Sequence, residues 1–364
     1  MFNLQRLIRP NIQELIPYSS ARDEFSGNAY IFLDANENAW GSPLDKSYNR
    51  YPDPLQHQLK ARIAELKQVP PEHIFLGNGS DECIDLTFRA FCEPGQDEVI
   101  ICPPTYGMYE VCARIQGAII RKVPLLPDFA LDLSGILEAI TPHTKLIILC
   151  SPNNPTGNCF SREAIYTLLR RFEGIVAIDE AYIDFASQPG FLPELDQFPN
   201  LILWQTFSKA WGLAGLRVGM AFASPAIIQV LNKIKYPYNI SQLTQDTLLQ
   251  ALARADQVQH WKEITIQQRT WLRQALQPLQ IVEKIYPSEA NFLLVKMKQA
   301  RKIYEYLLQQ GTVVRDRSQV ILCEDSLRIT IGRPEENKML IAQLKAYEQQ
   351  ALGSQVSIHD PLKD

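Results

Sequence analysis

One lysine has unusual neighbours. In "TFSKAWGLAGLRVGM" (206–220), Lys209 follows Thr206 and Ser208 and precedes Gly212, Gly215, Arg217 and Gly219 in an otherwise small, apolar run. A solvated surface lysine needs neither hydroxyls before it nor glycines after it. Other reactive or polar residues stand at comparable places upstream. Ser80 and Asp81 follow "GNG", Tyr106 ends "PPTY", Asn154 lies in "SPNNPTG", and Asp179 and Tyr182 lie in "GIVAIDEAY". Their chemistries are complementary. An amine can bond covalently to a carbonyl carbon. A carboxylate closing a buried strand can pair with a protonated ring nitrogen, and each keeps the other charged. Thr206, Ser208 and Arg217 offer hydroxyl and guanidinium donors to a phosphate. Ser80 and Asp81 fall where a glycine turn meets a helix start, and exposed N–H groups there bind phosphate. Tyr106 can lie on a ring, and Asn154 and Tyr182 can donate to a phenolic oxygen. Together these are the requirements of a pyridoxal-phosphate site, with Lys209 as the Schiff-base lysine.

Taken singly, each residue has a plainer reading. Lys209 reads as a surface lysine, Asp179 as a cap, "NNPTG" as a turn, Tyr106 as a core-edge tyrosine and Arg217 as a structural ion-pair partner. Joint occurrence, in order, at the ends of apolar runs is what favours chemistry.

The elements that must hold these residues follow from periodicity. "HIFLGNGS" (73–80), "DEVIICPPTY" (97–106), "TKLIILCSPNNPTG" (144–157), "GIVAIDEAY" (174–182) and "NLILWQTFSKA" (200–210) each carry a short apolar run ending in polar or glycine-rich residues. "DECIDLTFRAFCEPG" (81–95) has helical spacing and a Pro-Gly stop. Continuous apolar strands alternating with helices imply an α/β fold whose mostly parallel sheet is covered on both faces. Ligands bind beyond the C-terminal strand ends of such sheets, where the residues above lie. After about residue 245 the texture changes. "DQVQHWKEITIQQRTWLRQALQPL" (256–279) reads as a long helix, and "EANFLLVKM" (289–297), "GTVVRDR" (311–317) and "DSLRITIGR" (325–333) read as strands with a helix between the first two. The division expected is a large domain over 46–255, a smaller α+β domain over 256–350 joined by the segment 1–45, and a polar tail over 351–364. The opening "MFNLQRLIRPNIQELIPY" reads as one short amphipathic helix.

Bulk properties agree with such a chain. Of 364 residues, 46% are hydrophobic and 21% charged, and the net charge is −4 with scattered Lys and Arg, unlike a nucleic-acid surface. Seven cysteines without a CxxC pair fit reduced, buried thiols in a cytoplasm. The five histidines are isolated, so no metal site is expected. There is no 18-residue apolar run and no signal peptide pattern.

"SPNNPTG", "DEAYIDF" and "TFSKAWGLAGLRVG" resemble the signature blocks of fold type I, class II-like aminotransferases. "LIPYSSAR" (15–22), "LDANENAWG" (33–41), "YPDP" (51–54), "GNGSDE" (77–82), "PPTYGMY" (103–109), "VVRDR" (313–317) and "LRITIG" (327–332) narrow the resemblance to the histidinol-phosphate aminotransferase family. It covers nearly the whole chain. It implies a seven-stranded-type sheet in the large domain, pyridoxal 5'-phosphate as cofactor, and transamination between L-histidinol phosphate and 2-oxoglutarate in histidine biosynthesis. It assigns Lys209, Asp179 and Tyr182 to catalysis. Ser80, Asp81, Tyr106, Asn154, Thr206, Ser208 and Arg217 join these three around the cofactor. It also implies a homodimer with shared active sites, in which Tyr51 reaches the neighbouring subunit's phosphate cradle, and a substrate side of Tyr18, Asn36, Arg315 and Arg328. Two positions depart from the pattern. Arg333 follows the glycine of "RITIG" where Thr or a small residue is usual, and either adds a third guanidinium at the anion site or points to solvent. Trp40 replaces a Pro-aromatic pair at the substrate mouth. Within the superfamily the alternatives are an aromatic or broad-specificity aminotransferase and a threonine-phosphate decarboxylase. A noncatalytic pyridoxal-phosphate-sensing domain is a more distant one, because no helix-turn-helix pattern precedes the core strands.

Overall fold

Strands buried on both faces must be apolar at every position, and the central runs of this chain are. In the computed structural model, which describes residues 2–18 and 31–356, the elements in chain order begin with α1 (Leu4–Leu7), α2 (Pro10–Glu14), α3 (His57–Lys67), β1 (Ile74–Asn78), α4 (Gly79–Phe91), β2 (Glu98–Ile101), α5 (Met108–Gln116) and β3 (Ile119–Lys122). They continue through α6 (Leu133–Ala139), β4 (Thr144–Cys150), α7 (Arg162–Arg171), β5 (Ile175–Asp179), β6 (Leu201–Thr206), β7 (Val218–Ala223), α8 (Pro225–Ile234) and α9 (Gln242–Leu252). The last are α10 (Ala255–Leu276), β8 (Val282–Ile285), β9 (Phe292–Met297), α11 (Ala300–Gln309), β10 (Arg315–Asp316), β11 (Ser326–Thr330) and α12 (Pro334–Val356).

The larger sheet has seven strands in the order β1-β7-β6-β5-β4-β2-β3. Neighbours from β6 to β3 run parallel, and β7 runs antiparallel to both β1 and β6. Parallel neighbours need crossovers; α7, for example, returns the chain from β4 to β5. The two faces have separate cores. Val176, Ile178 and Leu203 point into one and Ile175, Ala177, Ile202 and Trp204 into the other. Each fully buried large side chain among them stabilises by about 1.5–3 kcal/mol. The smaller sheet, β10-β11-β9-β8, is antiparallel throughout. It packs Leu293, Val295, Leu327 and Ile329 against α10, α11 and α12.

The α/β architecture expected from the apolar runs is present, with differences. β3, β7 and β8 were not expected. β3 is a mostly exposed "IIRK" edge, and β7 begins inside the glycine-rich stretch. The strand expected over 311–317 shortens to β10, because Gly311 at φ +75° is still turning out of α11. The single helix expected over 1–18 is two, divided where Pro10 cannot continue α1 and instead starts α2. The start of the chain was expected beside the smaller unit. Leu7 and Ile8 instead join the large sheet's outer core, and Arg9 Nε bonds Glu93 at 2.9 Å. Helix α12 runs through Val356, into the stretch expected as tail. The remaining tail, 357–364, and the second half of the "LIPYSSAR" block lie outside the described residues. All seven cysteines are free, six of them buried. No helix among the described residues is long and apolar enough to cross a membrane.

Candidate active site

The C-terminal ends of β4, β5 and β6 open into a cavity of about 660 Å³. Its walls include Ser80, Asp81, Tyr106, Asn154, Asp179 and Tyr182. Thr206, Ser208, Lys209, Arg217, Arg315 and Arg328 complete the expected set there. The structure therefore brings together twelve of the residues singled out from sequence. The remaining three lie elsewhere on this chain. Tyr51 and Asn36 line a second cavity of about 500 Å³, where the Tyr51 ring stacks on Tyr238 at 4.4 Å. Tyr18 is 76% exposed and lines neither cavity. Trp40 is 99% exposed, and Arg333 does not line the first cavity; its N–H donates to Glu336 at the start of α12.

Asp179 ends β5 at the cavity floor and is almost wholly buried. Its Oδ2 accepts a 2.6 Å hydrogen bond from Tyr109 Oη, and its Oδ1 accepts one of 2.9 Å from Ala181 N. Burial pushes its carboxyl up to about 6, and these two donors oppose that rise. Lys209 lies three residues beyond β6, its Nζ 5.6 Å from the Tyr182 ring centre. It keeps solvent access through the cavity mouth, yet the surrounding protein, and then the Arg328 charge, lower its pKa. That moves it towards the neutral amine a nucleophile or base requires. Burial raises the Tyr182 and Tyr106 phenols, so both remain donors at neutral pH.

A cradle forms where α4 begins. Gly79 has φ +72°, and a Cβ there would lie 2.6 Å from Arg217 Nη2. A Cβ on Gly219 would lie 2.1 Å from Ser80 N. Two glycines thus let the start of α4 press against β7 and Arg217, which itself sits at φ +54°. Arg217 Nη2 reaches Asp81 Oδ2 at 3.2 Å, and Tyr106 Oη donates to Asp81 Oδ1 at 3.2 Å. The smaller sheet contributes cations to the same cavity. Arg328 Nη1 donates to Asn154 Oδ1 at 2.6 Å, and its guanidinium lies 5.4 Å from the Phe292 ring centre. Beside this contact the two sheets meet closely. Glu289 N donates to Gly157 O at 2.7 Å, and a Cβ on Gly157 (φ +84°) would lie 2.6 Å from Ser288 Oγ.

Two participants were not anticipated. Tyr109 was quoted only as part of "PPTYGMY", although its place one helical turn beyond Tyr106 signals a shared face. Arg317 lines the cavity with Arg315 and Arg328; its signal was the two-residue spacing from Arg315.

Comparisons with known proteins agree with this geometry. The family model for aminotransferase class I and II matches residues 32–344. The chain is 53% identical over 346 residues to the histidinol-phosphate aminotransferase of Cytophaga hutchinsonii, covering 95% of this chain and 99% of that one. It is 55% identical over 345 residues to that of Parabacteroides distasonis, with 95% and 99% covered. Among solved structures, the histidinol-phosphate aminotransferase from Sinorhizobium meliloti in complex with pyridoxal-5'-phosphate superposes with a TM-score of 0.77 at 25% identity, covering 87% of this chain and 90% of that one. With its lysine and buried carboxylate at parallel strand ends beside a glycine-built cradle, this chain belongs to the aminotransferase class I and II family.

Proposed function

We propose that this enzyme is a pyridoxal-phosphate-dependent transaminase that interconverts L-histidinol phosphate and 2-oxoglutarate with imidazole-acetol phosphate and L-glutamate, in cytoplasmic histidine biosynthesis. The observation that carries the reading is the cavity's two-sided charge. The larger sheet and its loops supply Lys209, Asp179 and the cradle, and the smaller sheet supplies arginines to the same cavity. The full-length similarity to histidinol-phosphate aminotransferases supports the choice of donor.

The residues present fit the cofactor. The close approach at Gly79 and Gly219 leaves first-turn N–H groups of α4, the Ser80 and Ser208 hydroxyls and Arg217 to hold its phosphate. Asp179 would pair with its ring nitrogen, Tyr106 would cover the ring, and Asn154 and Tyr182 would donate to its phenolic oxygen. Asn154 gives only its carbonyl oxygen to Arg328, so its amide N–H groups are left for that task. When bound, pyridoxal phosphate supplies an electron-accepting ring conjugated to a carbon that can exchange amines. The protein's own work is positioning and proton transfer. Asp179, carboxylate when paired with a cation, keeps the ring nitrogen's proton in place. Lys209 Nζ takes the proton from the donor's amine-bearing carbon. Arg328 and Arg315 bind the substrate anion. One donor carries a phosphate and the other two carboxylates, and a guanidinium fork accepts either group.

The active unit in this reading is a homodimer, within which the large unit (46–255) holds the cofactor and the smaller one closes on the substrate. Tyr51 lies away from its own chain's cavity, and Leu33, Trp40 and Tyr236 are 86%, 99% and 80% exposed, an apolar surface suited to a second copy. The testing experiment is a visible absorption spectrum of the holoenzyme before and after adding histidinol phosphate without oxo acid. Conversion of the cofactor band to the aminated form is expected. A band that ignores histidinol phosphate but responds to another amine would reassign the donor.

A further inference from the structure

The guanidiniums of the smaller sheet are arranged in a way that needs a cause. β10 and β11 pair so that Arg315 lies directly opposite Arg328. The ladder continues past β10, with Arg317 N donating to Ser326 O at 2.9 Å. Arg317, two residues beyond Arg315, therefore falls on the same face. All three line the cavity. Like charges opposed across a ladder destabilise it, and among the described residues no carboxylate forms an ion pair with any of the three. Asp316, between two of them, points its carboxylate to Arg301 at 3.3 Å instead. Arg317 Nε is buried without a hydrogen-bond partner, a costly condition for a donor that no ligand meets. Burial, then the Arg328 and Arg315 charges, lower the Arg317 pKa.

A carboxylate has two oxygens, and one or two guanidinium forks saturate it. A phosphate monoester presents three oxygens and about −1.5 to −2 charge at neutral pH, so it can use a third fork. We infer that Arg317 is a specificity residue, a third guanidinium directed at the phosphate of the amino donor, which tilts the shared anion site towards phosphate esters over carboxylates. This inference rests on the reading above that the donor is a phosphate ester.

The test uses the holoenzyme and two variants, Arg317→Gln and Arg317→Lys. Inorganic phosphate is titrated as a competitor of the glutamate half-reaction, and the histidinol-phosphate half-reaction is followed from pH 5.5 to 8. Loss of a charge-assisted contact predicts that Arg317→Gln weakens phosphate inhibition and raises the KM for histidinol phosphate about 10- to 100-fold. The glutamate KM should move several-fold less, and Arg317→Lys should recover part of the loss. The rise in wild-type kcat/KM as the phosphate takes its second charge near pH 6 should flatten in Arg317→Gln. Equal losses for glutamate and the phosphate ester, or no loss for either, would overturn the inference. If wild-type enzyme ignores histidinol phosphate while phosphate inhibition still depends on Arg317, the proposed donor falls and the role of Arg317 stands.

Discussion

Removing one oxygen atom, in Tyr109→Phe, tests how Asp179 keeps its charge. The ring should stay in place, because it is fully buried, edge-on to Tyr106 at 5.5 Å and near Trp204 at 6.3 Å. The 2.6 Å bond to Asp179 Oδ2 is lost, together with the hydroxyl's weaker contact with the buried Cys150 thiol. In the protein without cofactor, burial raises the Asp179 carboxyl from 3.8 to about 6. A raised carboxyl means that the folded state holds its proton longer, so stability falls as pH rises from about 4 to 6. That loss amounts to about 3 kcal/mol. A hydrogen bond to a charged group is worth about 1.5–3 kcal/mol and one to a neutral group about 1. Tyr109→Phe should therefore lift the carboxyl by a further half to one and a half pH units or so. At pH 5 both proteins are protonated at Asp179, and the variant should be less stable by only about 1 kcal/mol. By pH 8 the gap should reach about 1.5–3 kcal/mol. Thermal melts of both apoenzymes at pH 5, 6.5 and 8, with infrared difference spectra of the protonated carboxyl, measure this directly. A stability gap that stays constant over that range, or an unmoved carboxyl titration, would refute the role given to Tyr109.

Other outcomes follow from the same geometry. Lys209→Ala should abolish transamination while pyridoxal phosphate still binds noncovalently, as judged by equilibrium dialysis; retained turnover would remove Lys209 from its role. Arg328→Ala should weaken both half-reactions, and Arg328→Lys should lose activity clearly as well, since charge without the bidentate fork is not equivalent. An effect on one substrate only would end the idea of a shared anion site. Gly79→Ala places a Cβ 2.6 Å from Arg217 Nη2 on a backbone at φ +72°. The cofactor's dissociation constant should rise by at least about tenfold, at a strain of about 1 kcal/mol or more; unchanged affinity would mean the cradle is not where the phosphate sits. Finally, Lys209→Ala and Tyr51→Phe subunits, each impaired alone, should regain activity on mixing, up to about a quarter of wild type if sites are shared across a two-fold dimer. No recovery after subunit exchange is demonstrated would keep Tyr51 out of the neighbouring site.

The central strands were legible because parallel strands covered on both faces leave a continuous apolar signal, as "LIILC" and "IVAID" do. β7 was not, because "VGMAFA" is broken at its second residue by the glycine that lets it approach α4, and the run was weighed only for the company it gives Lys209. The cavity's floor could be anticipated because its residues close strands of one sheet in sequence order. Its far wall was harder. Arg315 and Arg328 were identified from their blocks, but the weight given to Arg333 as the extra guanidinium belonged to Arg317, and strand alternation was the signal that separated them. Tyr18, Asn36 and Tyr51 are the opposite case. Within one chain they lie away from the cavity, and the blocks that carry them have no periodicity that would have placed them.

The closeness of the two sheets at Gly157 bears on how such an enzyme can change over generations. Lys209, Asp179 and the cradle belong to the seven-stranded sheet and its loops, whereas Arg315, Arg317 and Arg328 belong to β10, β11 and their continuation. In the proposed mechanism, proton transfer and substrate choice would thus fall on separate pieces of chain, so that substitutions in the arginine strands would change the donor while leaving Lys209 and Asp179 in place. Gly157 marks the limit of that freedom. It needs both its left-handed backbone and the space that Ser288 presses into, so neither half can drift there without the other.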